Sequence, residues 1–340
     1  MDRKTAIVVT SISAPNVALR ALAKGSTERG WSFLVVGDSK SPQAFEVAGC
    51  TFYSLAEQRK LGFVFGEACP EQRYSRKNIG YLAAMRAGAE LIIETDDDNI
   101  PGTDFWRERV PDVEGALALK AGWVNVYRYF SDAQIYPRGF PIEFVAVSAQ
   151  KGEFLARASR VCPIQQGLAD GDPDVDAIYR MLFSLPVTFG KGAPVILEPG
   201  AWCPFNSQNT AFFRDAFPLL YLPTHCSFRM TDIWRGFVAQ RILWTCGWRV
   251  SFHAADVVQE RNEHNLLRDF KEEIPGYLNN ATICRRLADL KLGEGCLRIP
   301  ENLRRCYEML VEGGFVANEE LSLLDAWLSD LNALGKISKA

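Results

Sequence analysis

LIIETDDDN, residues 91–99, decides the reading: a short apolar run ending on three consecutive aspartates, Asp96, Asp97 and Asp98. Leu91 to Glu94 has the length and composition of a buried strand. Upstream, Tyr74 to Ala89 carries a helical pattern and includes the stretch Arg76-Lys77-Asn78-Ile79-Gly80. The alternation repeats towards the N-terminus. Ala6 to Ser11 (AIVVTS) and Ser32 to Gly37 (SFLVVG) read as strands, with Asn16 to Glu28 as the helix between them. Strands alternating with helices predict an α/β fold with a mainly parallel sheet flanked by helices. In such sheets ligands bind beyond the carboxyl ends of the strands. Thr10, Ser11, Asp38 and the aspartate run all fall at such ends.

Adjacent carboxylates repel one another, so a fold that clusters them usually places a cation nearby. Mg²⁺ and Mn²⁺ prefer oxygen ligands and often bridge protein carboxylates to a diphosphate. A solvated acidic turn or a helix N-cap would use the same residues, but the strand-end position favours the metal. Arg76 and Lys77 are candidates to neutralise phosphate, against the plainer reading of two surface cations. Neither a G-x-G-x-x-G nor a P-loop motif occurs, so a bound diphosphate must be held in another way.

A second acidic run, Asp170 to Asp176, includes Asp172 and Asp174. It reads either as a loop capping a helix from Ala177 or as sugar-binding carboxylates, since these accept hydrogen bonds from hydroxyls. Pro204 to Thr210 (PFNSQNT) sets the amides of Asn206 and Asn209 among aromatics, a composition suited to carbohydrate and also to a turn. Asp232 heads an amphipathic helix over Thr231–Gly247, where capping competes with a role as general base.

The rest of the chain sets bounds. Its 340 residues suffice for about two domains, or one with an appendage. With 38 Lys plus Arg against 41 Asp plus Glu, the net charge of −3 argues against a nucleic-acid binder. Nine scattered cysteines without a C-x-x-C pair predict reduced thiols, and three histidines argue against a His-rich zinc site. The apolar stretches fall short of the ~20 residues that span a bilayer. No signal-peptide pattern precedes the first strand, which predicts a cytoplasmic chain. Gly115 to Gly200 reads as strands and long loops, Trp248 to Phe252 as a strand, and the stretch beyond Glu260 as helical, ending in a helix over Glu319–Leu334. The helix over 231–244 is apolar enough to lie in the core or at an interface of a homo-oligomer.

The strand-DDD-N element resembles the STELLO family, known from plant Golgi proteins linked to cellulose synthase. Four further blocks carry the resemblance in the same order: Val124–Glu143 (VNVYRYFSDAQIYPRGFPIE), Gln165–Arg180 (QQGLADGDPDVDAIYR), Pro204–Phe213 (PFNSQNTAFF) and Thr231–Trp244 (TDIWRGFVAQRILW). A more distant similarity reaches the reversibly glycosylated polypeptides, which include UDP-arabinopyranose mutases. Both resemblances imply a GT-A-type fold, a nucleotide-sugar donor and a divalent metal at the aspartates. Carried over, Asp96 and Asp98 become metal and ribose contacts with Asp97 between them, and Asp232 matches an acidic position in the DxW block of the mutases. Arg138-Gly139-Phe140-Pro141 matches their Arg-Gly-Tyr-Pro. The reactive arginine of the mutases is replaced here by the stretch Ile142-Glu143-Phe144-Val145, which counts against mutase chemistry. Where related enzymes add a late histidine to the metal shell, this chain offers Gln259, Glu260 or His264.

The expectation is therefore a GT-A-type catalytic domain over residues 1–260 with a helical C-terminal region over 261–340. It would transfer a sugar from a nucleotide-sugar, most simply a UDP-sugar, to a glycan or small-molecule acceptor. Thr10, Ser11, Asp38, Arg76 and Lys77 would hold base, ribose and phosphate, and Asp96 and Asp98 a Mn²⁺ or Mg²⁺. Asp172, Asp174, Asn206 and Asn209 would contact sugar, with Asp232 and Arg138 as catalytic residues. The competing readings are a nucleotide-sugar mutase and a non-catalytic sugar-binding or scaffold protein.

Overall fold

Thr5–Thr10 (β1), Ser32–Val36 (β2), Thr51–Tyr53 (β3) and Leu91–Thr95 (β4) form one half of a large sheet in the computed structural model, which describes residues 3–146, 156–260 and 265–337. They lie side by side in the order β3-β2-β1-β4, all parallel. Ile7, Val8 and Val9 of β1 and Ile92 and Ile93 of β4 are buried. A strand covered on both faces reads as a continuous apolar run, which is why these segments stand out in the sequence.

The other half is mixed. Asn99–Pro101 (β5), Asp112–Ala118 (β6), Gly122–Trp123 (β7), Arg157–Val161 (β8), Ile164–Gly171 (β9), Val195–Leu197 (β10), Ala201–Trp202 (β11), Asn209–Phe213 (β12) and Val250–Gln259 (β13) complete the strands. β12 runs antiparallel to β4, with Asn209 opposite Thr95, and links it to β9. β13 is parallel to β9 and antiparallel to β10 and β5. β7 and β11 pair separately. The eleven-stranded sheet with helices against it is the α/β architecture expected for a Rossmann-like GT-A fold.

Two local features position the site. The helix Val17–Arg29 is capped by Asn16, whose Oδ1 accepts from the Leu19 N–H at 2.9 Å while its Nδ2 donates to Asp97 O at 2.7 Å. One residue thus ends the loop after β1 and ties it to the aspartate turn. The helix Lys77–Arg86 lies close on the sheet because Gly80 lacks a side chain. A Cβ there would fall 2.6 Å from side-chain carbons of Val8 and Val36.

The helix Thr231–Thr245 is buried on nearly every side, which places it in the core of the single chain. Trp234 Nε1 donates to Asn280 on the long helix Leu266–Asp289 at 2.8 Å. The helices Leu266–Asp289, Ile299–Glu312 and Glu320–Ala333 contribute Ile283, Leu303, Leu310, Trp327 and Leu331 to the same hydrophobic core as β1, β4 and β12. Asp330 accepts from the backbone N–H groups of Val64 and Phe65 at 3.0 and 2.8 Å, capping the short helix Val64–Ala68. Among the described residues, no helix is long and apolar enough to cross a membrane.

Candidate active-site cleft

The carboxyl ends of β1, β2 and β4 open onto a cleft of about 970 Å³. One wall carries Thr10, Ser11 and Asp38, and the floor carries Asp96, Asp97 and Asp98. Arg138, Asp174 and Asp232 face them, and Gln259, Asn265, Arg268, Asp269 and Glu272 close the remaining side. The last four come from the start of the Leu266–Asp289 helix, so the C-terminal region helps to build the cleft. Residues predicted from strand ends more than 80 positions apart thus share one space.

The aspartates have distinct surroundings. Asp97 accepts from the Ser11 hydroxyl. Asp98 accepts from the Gln259 amide at 3.1 and 3.2 Å. Asp96 accepts from the Tyr74 hydroxyl at 2.9 Å and from Lys77 Nζ at 3.3 Å. Burial pushes the Asp96 carboxyl up to about 7, Lys77 opposes this, and the neighbouring charge of Asp98 adds to it. A divalent cation would relieve that repulsion, and the carboxylate oxygens are the donor type that Mg²⁺ and Mn²⁺ take. The residues therefore fit a metal held by Asp96 and Asp98. Among the described residues no group of three or more His, Cys, Asp or Glu surrounds one point, so substrate oxygens and water would have to complete the shell. Gln259 lines the cleft with its amide N–H turned to Asp98 and its Oε1 accepting from Gln208 at 2.6 Å. Glu260 is exposed and away from the lining, and His264 lies outside the described residues.

Arg138 is the hinge of the opposite wall. Its Nε donates to Asp174 Oδ1 at 2.7 Å, its Nη2 to Asp232 Oδ2 at 2.9 Å, and its Nη1 to Arg229 O. All three side chains are nearly closed to solvent. Burial alone would raise the Asp232 carboxyl, but the Arg138 guanidinium overrides it and holds it down at about 2. An ionised carboxylate paired in this way is a weak proton acceptor, so a general-base role for Asp232 would have to work against its pairing with Arg138. Nor is it the helix cap. The helix begins at Thr231 after Met230, without a side-chain cap, and Asp232 turns to Arg138 and to Ser207, whose N–H donates to it at 3.2 Å.

Several expected contacts lie behind the lining. Lys77 is wholly buried, with Nζ donating to Thr95 O at 2.8 Å, Tyr74 Oη at 2.9 Å and Ser207 O at 3.2 Å. It braces the aspartate turn from below. Arg76 reaches the lining, but its guanidinium donates to Gln58 Oε1 and Cys69 O. Asp172 pairs with Arg180 outside the cleft. Asn206 supports Asp174, donating to its Oδ2 at 2.6 Å, and Asn209 of β12 donates to Asp256 of β13, neither of them in the cleft lining. In the Asp170–Asp176 run it is Asp176 that caps the helix Ala177–Leu182, accepting from the Tyr179 N–H at 2.7 Å.

The structure also adds residues the sequence did not single out. Tyr74, Arg73, Phe228 and Arg268 all line the cleft. Arg73 is exposed at the lip, and its backbone N–H donates to Asp38 Oδ2 at 3.2 Å. Gln72 beside it has φ of 57°, the one non-glycine residue in the left-handed region among those described. Such backbone costs about 1–3 kcal/mol and gathers at functional sites. Phe228 exposes about half of its surface, edge-on to Tyr74 at 6.0 Å between ring centroids. No local pattern distinguishes these residues, because only the fold brings 72–74 against 228.

Residues 229–338 match the family model of the STELLO glycosyltransferases. Two Arabidopsis thaliana proteins, named as probable glycosyltransferases STELLO1 and STELLO2, are 30% and 29% identical to the chain over 97% of its length. The aligned region is 44% and 45% of those proteins, so the chain spans less than half the length of the curated relatives it matches. Among solved structures, a crystal structure of a mycobacterial protein superposes with a TM-score of 0.43 at 11% identity, covering 82% of this chain and 75% of that one. With the cleft-wall helices inside the matched segment and the identity running through nearly all of its length, the chain is similar to the STELLO glycosyltransferases.

Proposed function

We propose that the chain is a glycosyltransferase that takes its sugar from a nucleotide-sugar donor, most simply a UDP-sugar, and uses a divalent metal. The observation that carries this reading is the cleft itself. It joins the ends of three parallel strands to Asp96 and Asp98 on one side and to the Arg138–Asp174–Asp232 cluster on the other. Base and ribose would lie against Thr10, Ser11 and Asp38, under the lip formed by Arg73. A Mn²⁺ or Mg²⁺ at Asp96 and Asp98 would supply Lewis-acid stabilisation of charge on the departing diphosphate. Tyr74 and Lys77 orient the Asp96 carboxylate, and Ser11 orients Asp97.

Asp174 and Asp232, both held by Arg138, present fixed acceptors to sugar hydroxyls. Paired with the Arg138 cation, they offer hydrogen-bond acceptors and negative potential to a positively charged sugar transition state. A thermal-shift panel of UDP, GDP and CDP, each with and without Mn²⁺, tests the reading. Binding to the native state alone adds about 2.7 kcal/mol at a hundredfold excess over Kd. A rise for one nucleotide family that requires metal supports a transferase and names the donor class. Metal-independent binding of free sugars with none for nucleotides would favour a sugar-binding scaffold.

A further inference from the structure

The nine cysteines carry no motif, yet the fold brings two of them together outside the cleft. Cys246 follows the helix Thr231–Thr245, and Cys296 opens the single turn Cys296–Arg298 that precedes the helix Ile299–Glu312. The residues just before them are hydrogen-bonded, with the Gly295 N–H donating to Thr245 O at 2.9 Å. Asn302 fastens the same place, donating to Thr245 Oγ1 at 3.3 Å and to Gly293 O at 2.7 Å, while its Oδ1 accepts from the Gly293 N–H at 2.8 Å. Cys296 is exposed and Cys246 half-buried. That backbone link makes Cys246 and Cys296 the immediate chain neighbours of the two bonded residues. Burial pushes the Cys246 thiol up to about 12, with Cys296 the next contribution.

We infer that Cys246 and Cys296 are a thiol pair that forms a reversible disulfide with a small-molecule disulfide oxidant. Exposed Cys296 reacts first: its thiolate attacks one sulfur of oxidised glutathione, forming a mixed disulfide and releasing one glutathione thiolate. Cys246 then gives up its proton, and its thiolate attacks Cys296 Sγ, forming the internal S–S bond and expelling the second glutathione. Two protein thiols are oxidised and one glutathione disulfide is reduced. The bond closes a loop that contains β13 and the helix Leu266–Asp289, the segment that supplies Gln259, Asn265, Arg268, Asp269 and Glu272 to the cleft. Cross-linking narrows the unfolded ensemble of that segment, so oxidation staples one wall of the cleft. The pair stands independently of the proposed transferase activity.

The test is a count of titratable thiols in denaturant for the full chain, before and after native-state treatment with oxidised glutathione, with peptide mapping of the products. The expected result is nine thiols falling to seven, a Cys246–Cys296 peptide, a higher melting temperature and full reversal by dithiothreitol. Cys246→Ser should stop at a glutathione adduct on Cys296, and Cys296→Ser should keep all its thiols. Nine thiols remaining, a stable adduct on Cys296 in the unsubstituted chain, or a link between other cysteines would overturn the inference.

Discussion

The Tyr74 hydroxyl donates to Asp96 Oδ1 at 2.9 Å, and the same phenolic oxygen lies 2.6 Å from Ser207 Oγ. Ser207 in turn contacts Asp232, which Arg138 joins to Asp174. One polar chain therefore runs from the aspartate turn to the opposite wall of the cleft. Tyr74→Phe should cut it at its middle. Loss of the hydroxyl should cost about 1 kcal/mol of stability, the usual net value of a hydrogen bond, measured by urea unfolding. Affinity for metal and nucleotide should fall more than this, because Asp96 loses its orienting donor.

Arg138 carries the heaviest structural burden of the cleft. Arg138→Met leaves Asp174 and Asp232 buried without their cation, and removing one partner of such a group costs about 3–5 kcal/mol. Adding Asp174→Asn and Asp232→Asn to Arg138→Met should recover much of the loss, since neutral amides need no counter-charge. Chemical denaturation of the single and triple variants checks this. Equal destabilisation in both would show that Arg138 acts through packing.

The two aspartates of the second acidic run should behave in opposite ways. Asp172→Ala removes a carboxylate outside the cleft, so nucleotide affinity should be unchanged within twofold by calorimetry. Asp174→Ala leaves Arg138 short of one partner and should weaken binding as well as stability.

Asp176 sets a pH dependence. Burial pushes its carboxyl from an ordinary value of 3.8 up to about 7, and nearby Glu273 and Asp174 add to this. The folded protein then keeps a proton that the unfolded chain has lost between those values. A raised acid pKa means that this contribution is full below about pH 3.8 and is lost as pH rises towards 7. Asp176→Asn keeps an acceptor for the Tyr179 N–H without the charge. Relative to the unsubstituted chain it should gain about 1–3 kcal/mol between pH 5 and pH 7.5, read from urea midpoints.

The parts legible in the sequence were those with a local signature. β1, β2 and β4 are unbroken apolar runs, and their polar ends converge on the cleft because parallel strands all point there. Asn16 and Gly247 mark their helix ends by type alone. What stayed hidden depends on distance. The short β12 is no more strand-like than a loop, yet it turns the sheet antiparallel beside β4. Arg76 and Lys77 look like phosphate ligands on a helix start, but the close seat of that helix on Val8 and Val36 draws them inward, and Lys77 becomes a buried brace. Asp232 looks like a cap until Arg138, 94 residues away, claims its carboxylate.

The most direct test is calorimetric titration of UDP into the chain and into Asp98→Ala, with and without Mn²⁺. The account predicts metal-dependent binding to the unsubstituted chain, lost in Asp98→Ala while its melting temperature stays within a few degrees. Full metal-dependent affinity in Asp98→Ala, or no nucleotide diphosphate bound by either protein under any condition, would contradict it.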